Sequence, residues 1–180
     1  MTVGGGIRTL EDIVAVLRSG ADKVAINTAA IARPAFLSEA AAAFGSQCIV
    51  LSIEAKRRAA GRWEALTNNG RETTGVDVLS WVTEAEKLGA GEILLTSVDQ
   101  EGTRKGFDLE LMATVREKVR VPVIGCGGAG NADHVAAALG VCDAVCCASI
   151  FHYNLSSLPE LKHDLAAKGL IVRTGPKIAA

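Results

Sequence analysis

Aromatic residues, net charge and long apolar runs are all scarce in this sequence. Aromatic residues make up 4% of the chain, and the formal net charge at pH 7 is −1. Base-stacking platforms need aromatic faces, and nucleic acids and anionic membranes attract basic patches. No apolar run reaches the ~18 residues of a membrane-spanning helix, and no basic region followed by an apolar core marks a secretion signal at the N-terminus. We therefore expect neither a nucleic-acid partner nor a membrane partner.

Cysteine is present in an odd number, five, and mostly within apolar strand patterns. This usage predicts buried thiols in the reducing cytoplasm rather than a disulfide framework. We expect no metal site, because Cys146 and Cys147 are neighbours on one predicted strand and point to opposite faces. The length of 180 residues predicts a single domain, 1–180.

An internal repeat is the strongest positive signal in the sequence. Val3–Gly6 and Asp22–Thr28 recur, at an offset of 121 residues, as Ile124–Gly127 and Asp143–Ser149. Each copy has a strand that ends in glycines, a helix, and a strand that ends in a hydroxyl residue. Glycine turns before helix N-termini offer backbone N–H groups to anions, so two copies suggest a substrate with two phosphates.

Apolar runs alternate six times with helical patterns, which predicts a parallel sheet covered by helices. A repeat of about 120 residues is half of a (βα)8 barrel, which typically needs roughly 240 residues. We therefore expect an α/β fold, an incomplete barrel of the third to eighth βα units, with an open sheet and a hairpin inserted at about 57–75. The predicted strands are Thr2–Gly5, Lys23–Asn27, Cys48–Glu54, Glu92–Ser97, Val121–Cys126 and Asp143–Ser149.

Alternation along the strands predicts which side chains face the barrel axis. In strand 48–54 the apolar set Ile49, Leu51 and Ile53 should face the helices, so Glu54 should face the axis at the C-terminal mouth. Barrels of this type keep their chemistry at that mouth. The same phase places Asn27 and Thr96 at the mouth, and Lys23 and Glu92, of opposite charge, at the floor. We expect Lys23 and Glu92 to form a charge pair, because an unpaired inward charge is costly.

Four long motifs resemble the cyclase subunit of imidazole glycerol phosphate synthase, an enzyme of histidine biosynthesis. They are Thr2–Ile7, Gly20–Ala29, Gly89–Ser97 and Gly127–Gly130, and the resemblance extends to about Arg173. It implies a (βα)8 barrel that receives ammonia from a partner glutaminase. It also implies that the ammonia and a bisphosphorylated ribulosyl formimino carboxamide ribotide give imidazole glycerol phosphate and aminoimidazole carboxamide ribotide. No cofactor is implied.

The resemblance also assigns roles to individual residues. Glu54 stands where the family has a catalytic aspartate, Thr96 and Asn27 contact the substrate, and Lys23 and Glu92 belong to a charged gate for ammonia. The first phosphate site would use Gly6, Asn27 and Thr28. The second would use Gly102, Gly127, Gly128, Ala148 and Ser149.

Two departures from the family pattern keep other functions open. Glutamate replaces aspartate at Glu54 and Glu101, and the family's second catalytic aspartate would lie on a strand before Met1. We therefore expect weak cyclisation by this chain alone. A homologous barrel of surface-polysaccharide biosynthesis, which amidates another substrate, and a non-catalytic phosphate-binding fragment remain as alternatives. The two outer strands of the incomplete barrel would each have an edge without a partner strand, which predicts self-association.

Overall fold

The computed structural model describes residues 1–173 and contains a parallel sheet of six strands covered by helices. The strands follow the order β1-β2-β3-β5-β6-β7, and β4 pairs antiparallel with β3. The predicted α/β class, with six parallel strands of a barrel, is confirmed. The strands are β1 (Thr2–Gly4), β2 (Lys23–Ile26), β3 (Ile49–Ala59), β4 (Arg62–Leu66), β5 (Glu92–Ser97), β6 (Val123–Cys126) and β7 (Ala144–Cys146). The helices are α1 (Leu10–Arg18), α2 (Thr28–Ala32), α3 (Ala35–Phe44), α4 (Val78–Lys87), α5 (Leu109–Lys118), α6 (Ala132–Leu139), α7 (Ser149–His152) and α8 (Leu158–Ala167).

The helices begin where local capping chemistry predicts. The Thr9 hydroxyl accepts a hydrogen bond from the Asp12 backbone N–H at 3.2 Å, and the Asp12 carboxylate accepts one from the Thr9 N–H at 2.9 Å. This reciprocal pair satisfies two backbone donors that the first turn of α1 leaves free. The other N-cap side chains that accept a backbone hydrogen bond belong to Asp77, Asp108, Asn131 and Ser157.

The core lies between the sheet and the surrounding helices, on the face that strand alternation predicts. Val24, Leu51 and Leu95 are completely buried, and they belong to the outward-facing sets of β2, β3 and β5. Inward-facing residues of the same strands, such as Ser52 and Leu94, are mostly partly exposed, with Val50 of β3 as a buried exception. Burial therefore separates the two faces of the sheet, and the partly exposed face is the interior that would carry the chemistry.

The sheet is open within the described residues. β1 pairs with β2 alone and β7 pairs with β6 alone, so the two outer strands do not meet. This open parallel sheet matches the expectation from the sequence. Solvent therefore reaches the inward face, which in a closed barrel is packed on all sides.

The third parallel strand is longer than predicted, because its outer half forms the first strand of the hairpin. β3 continues past Glu54 to Ala59, and β4 returns antiparallel to it, with Leu66 opposite Glu54. The hairpin turn therefore lies at residues 60–61, whereas Asn68-Asn69-Gly70 forms a second turn with positive φ values of 51°, 59° and 72°. The strand extends because its outer half pairs with β4 after its pairing with β5 ends at Ala55.

A buried tryptophan fixes the hairpin to the body of the protein. Trp63 of β4 is 2% exposed, and its indole Nε1 donates a hydrogen bond to the Asp108 carboxylate at 3.2 Å. The Arg57 guanidinium lies 4.6 Å from the centre of the Trp63 ring and also binds Asp108. Trp63 is thus a packing residue, as expected, and it joins the hairpin to the N-terminus of α5.

Candidate active site

Glu54 lies on the inward face of β3, near the end of its pairing with β5. In the register of the two strands it is directly opposite Thr96. Both side chains are partly exposed, while Ile53 and Leu95 beside them are completely buried. The carboxyl ends of parallel strands meet at one edge of the sheet, so Glu54 and Thr96 lie together at the mouth where the sequence places them.

The Glu54 carboxylate is held by residues from two other segments. Its Oε2 atom accepts a hydrogen bond from the backbone N–H of Gly70 and another, at 3.3 Å, from the side-chain amide of Asn27. The same Asn27 amide nitrogen donates to the carbonyl oxygen of Leu66 at 3.0 Å. The turn at residues 68–70 therefore approaches the mouth and fixes the orientation of Glu54.

The surroundings of Glu54 change its acidity. Burial raises its pKa, because the charged form loses solvation, and the hydrogen bond from the Gly70 N–H opposes this to a smaller extent. The net result is a pKa above the usual value for glutamate. A carboxyl group with a raised pKa gives and takes protons at a higher pH than an ordinary glutamate does.

Asn27 presents an unused acceptor at the same place. Its Oδ1 atom is buried, and no residue in the described range 1–173 donates to it. Asn27 precedes α2 but its side chain does not cap that helix, because its amide is directed to Glu54 and Leu66. A buried acceptor without a donor is costly, so a ligand hydroxyl or amine at this point would gain a hydrogen bond.

The first glycine turn follows β1 and is open. Gly5 and Gly6 have φ values of 102° and 74°, and a Cβ built on either would have no heavy atom within 4 Å. After the neighbouring strand β2, α2 starts at Thr28, whose hydroxyl accepts a hydrogen bond from the Asn68 N–H at 3.3 Å. Gly6, Asn27 and Thr28 thus lie at the same edge of the sheet, after adjacent strands.

The second glycine turn follows β6 and is closely packed. A Cβ on Gly128 would lie 2.0 Å from the carbonyl oxygen of Gly106, and one on Gly127 would lie 2.9 Å from that of Ser97. The loop after β5, which contains Gly102, therefore packs against this turn, and its Glu101 carboxylate comes near Gly127. The remaining predicted residues, Ala148 and Ser149, directly follow β7 and begin α7.

Lys23 and Glu92 form an ion pair at the opposite end of the sheet. They are the first residues of β2 and β5, and β3 lies between those strands. The Lys23 ammonium contacts a Glu92 carboxylate oxygen, and the side chains are 32% and 19% exposed. The ion pair predicted from strand phase is confirmed. Unlike Glu54, these charges are at the N-terminal floor of the interior.

Sequence reasoning missed the contribution of the second turn to this site. The Asn68-Asn69-Gly70 turn is recognisable from composition, but its contact with Glu54 joins residues separated by sixteen positions. It also missed that Cys126 lies level with Thr96 on one side and with Cys146 on the other. Strand phase would place both thiols inward, but only the register of β6 and β7 makes them partners.

Within residues 1–173, no group of three or more His, Cys, Asp or Glu side chains is arranged to hold a metal ion. No helix in that range is long and apolar enough to span a membrane.

The fold and the site together define a protein of the (βα)8-barrel class, of which the described chain provides six βα units. A family model with the description "Histidine biosynthesis protein" matches residues 1–157. The chain therefore belongs to this family of histidine-biosynthesis enzymes.

Proposed function

We propose that the chain is the cyclase subunit of imidazole glycerol phosphate synthase. It would use ammonia from a partner glutaminase to convert a bisphosphorylated ribulosyl formimino carboxamide ribotide into imidazole glycerol phosphate and aminoimidazole carboxamide ribotide. The observation that carries the proposal is that one interior has Glu54 at its mouth and the Lys23–Glu92 pair at its floor. Family membership and the five free cysteines also support a role in cytoplasmic histidine biosynthesis.

In this proposal Glu54 is the residue that moves protons. Ring closure requires that one nitrogen lose protons and that an oxygen leave as water, and a carboxyl with a raised pKa serves both needs. The hydrogen bonds from Gly70 and Asn27 hold the carboxylate in one orientation. Thr96 lies directly opposite Glu54 in the adjacent strand and would contact the substrate.

The two glycine turns would bind the two phosphates. Gly6 and Thr28 lie after adjacent strands near Asn27, where the open space at Gly6 admits a ligand close to the backbone. Gly102, Gly127, Gly128, Ala148 and Ser149 follow β5, β6 and β7 on the other side of Thr96. A substrate with a phosphate at each end would then span the mouth above Glu54 and Thr96.

Binding of the bisphosphate tests this arrangement. In calorimetry, the 180-residue chain should bind the bisphosphorylated ribotide more tightly than a monophosphorylated fragment of it. Gly6→Val should weaken binding of the bisphosphate, because the valine side chain fills the open space beside the backbone. The positive φ of Gly6 also strains any residue with a side chain. Gly61→Val is the control, since Gly61 also has a positive φ and open space but lies in the hairpin turn. Equal affinity for both ligands would show that the two turns do not act together.

Activity tests the role of Glu54. Cyclisation with ammonium salt and the bisphosphate should fall by about 10²–10⁴-fold in Glu54→Gln, which keeps the shape but cannot transfer a proton. Glu54→Asp restores the aspartate that the family has at this position, and its cyclisation rate should match or exceed that of the wild type. If Glu54→Gln is as active as the wild type, Glu54 is not the proton-transfer group.

Glutamine-dependent turnover tests the floor. With a glutaminase partner present, Lys23→Ala should reduce turnover with glutamine more than turnover with ammonium salt, because ammonium salt supplies the mouth directly. Arg18→Ala, on the exposed end of α1, is the matched control for loss of one positive charge. Equal losses with both nitrogen sources would argue against a gate at the floor.

A second candidate is the amidation of another substrate in surface-polysaccharide biosynthesis. It is favoured by the glutamate at position 54, which extends the carboxylate by about one C–C bond relative to aspartate, and misplacement by ~1 Å can cost about 10²-fold. Both candidate enzymes would receive ammonia from a glutaminase, so the Lys23–Glu92 pair at the floor does not distinguish between them. Turnover of the ribotide would exclude this candidate, whereas phosphate binding without any turnover would favour a non-catalytic phosphate-binding fragment.

A further inference from the structure

Two cysteines are paired across adjacent strands at the mouth of the sheet. Cys126, the last residue of β6, is directly opposite Cys146, the last residue of β7, in the parallel register. Adjacent strands lie about 4.7–4.9 Å apart, and disulfides join Cα atoms that are usually about 4.4–6.8 Å apart. Paired residues also project their side chains to the same face. The backbone thus places the two thiols within reach of a covalent bond.

Both cysteines are free, and at least one is open to solvent. Cys146 is exposed and Cys126 is half-buried. The neighbouring Cys126 thiol lowers the pKa of Cys146, although burial and the nearby Glu101 carboxylate oppose this change. The same interaction raises the pKa of Cys126, which remains the protonated partner. The lowered pKa favours the thiolate of Cys146, which is the reactive form of cysteine.

The other cysteines differ in position and acidity. Cys147 follows Cys146 in the chain and lies on the opposite face, where burial raises its pKa to about 11. Cys142 is buried, and burial raises its pKa as well. Cys48 lies near the start of β3, away from the mouth. We therefore expect thiol reactivity at the mouth from Cys126 and Cys146.

We propose that Cys126 and Cys146 form a dithiol site that reacts with small-molecule disulfides and closes to an intramolecular disulfide between β6 and β7. The chemical class of reactant is a low-molecular-weight disulfide such as oxidised glutathione. The site lies in the inward-facing row that also contains Glu54 and Thr96. It does not depend on the proposed cyclase activity.

The reaction takes place in two balanced steps. The Cys146 thiolate attacks one sulfur of oxidised glutathione, which forms a mixed disulfide and releases one glutathione thiolate. The Cys126 thiol then loses its proton and its sulfur attacks the Cys146 sulfur, which forms the Cys126–Cys146 bond and expels the second glutathione thiolate. Two electrons pass from the protein dithiol to the oxidant, and the products are one protein disulfide and two molecules of reduced glutathione.

Mass spectrometry tests the site. The reduced chain, incubated with oxidised glutathione at about pH 7, should lose two hydrogens, and its peptide map should contain a Cys126–Cys146 link. Cys126→Ser should stop at a glutathione adduct on Cys146, and Cys146→Ser should form neither product. Cys147→Ser is the matched control and should form the Cys126–Cys146 disulfide as the wild type does. A link through another pair, or adducts formed on Cys147 as fast as on Cys146, would overturn the proposal.

A second probe keeps the test valid if a variant folds poorly. Phenylarsine oxide bridges two neighbouring thiols, so the reduced chain should bind one equivalent, and prior treatment with oxidised glutathione should prevent this. Cys126→Ala and Cys146→Ala should each lose the binding, while their melting temperatures report on folding. Undiminished binding in either folded variant would show that the two cysteines are not the dithiol.

Discussion

At the residue scale, the behaviour of Glu54 follows from partners that come from elsewhere in the chain. Strand alternation turns the side chain inward, but its raised pKa is due to burial, which outweighs the hydrogen bond from Gly70 in the turn after β4. Asn27 belongs to a residue type that often caps helices, yet here it binds Glu54. The chemical character of both residues is therefore set by the mouth and not by their own segments.

The raised pKa of Glu54 predicts how stability depends on pH. The folded state keeps the Glu54 proton to a higher pH than the unfolded state, so Glu54 costs stability as pH rises above the usual range for a glutamate. Glu54→Gln removes this cost and can still accept the bonds from Gly70 and Asn27. The variant should melt at the same temperature as the wild type at about pH 4, and at a higher temperature at neutral pH.

Thermal melts across this pH range make the comparison. Glu84→Gln, an exposed glutamate of α4, removes the same charge without burial and should show no such pH-dependent gain. A Glu54→Gln variant that is less stable than the wild type at neutral pH would contradict the assigned pKa direction.

At the element scale, the hairpin formed by β3 and β4 links the mouth to the outside of the sheet. Its inner end carries Glu54 opposite Leu66, and its other part is fixed by Trp63. The Asp108 carboxylate joins three groups there: the Trp63 indole, the Arg57 guanidinium and the N-terminus of α5. Movement of the hairpin would therefore shift the Glu54 carboxylate.

A pair of tryptophan variants measures this attachment. Trp63→Phe loses the bond to Asp108 and should cost about 1–2 kcal/mol in the free energy of unfolding beyond the packing change. Trp81 is similarly buried, 3% exposed, but its Nε1 has no hydrogen-bond partner among residues 1–173. Trp81→Phe should therefore cost less than Trp63→Phe.

Denaturant titrations of both variants give the two free energies. Trp63→Ala should be the most damaging change, at about 3–5 kcal/mol, because it also leaves a cavity. Equal costs for Trp63→Phe and Trp81→Phe would mean that the bond to Asp108 contributes nothing to stability.

At the scale of the whole molecule, the open sheet is the dominant feature. β1 and β7 each have one edge without a strand partner within residues 1–173, and the inward face is accessible. Parallel strands are normally covered on both faces, and free strand edges readily pair with other chains. The inward face of the sheet, which carries Glu54, is thus also the face that is exposed to solvent where parallel sheets are normally covered.

The 180-residue chain by itself should self-associate in solution. Size-exclusion chromatography with light scattering should give a mass above one chain that falls on dilution. Val3→Lys places a charge on the edge strand β1 and should weaken the association, because charged edges disfavour strand pairing. Leu155→Lys, at an exposed apolar residue outside the sheet, should not. A cooperative monomer that does not change on dilution would show that the edges are protected.

The sequence by itself determined what depends on neighbours within a few residues. Thr9 and Asp12 cap α1 through bonds that span three positions, and alternation along β3 places Ile53 outward and Glu54 inward. Such features are local, so composition and period predict them. The same phase predicted the Lys23–Glu92 pair, since both strands start at the floor.

Only the tertiary structure decided which distant residues meet. The bond from Gly70 to Glu54 depends on the length of β3 and on the second turn, which the pattern of residues 48–54 does not specify. The pairing of Cys126 with Cys146 depends on the register of β6 and β7, and a shift of one residue would turn one thiol to the other face. Register results from the packing of the whole sheet against its helices, because hydrogen bonds between strands are similar in every register and side-chain burial selects one.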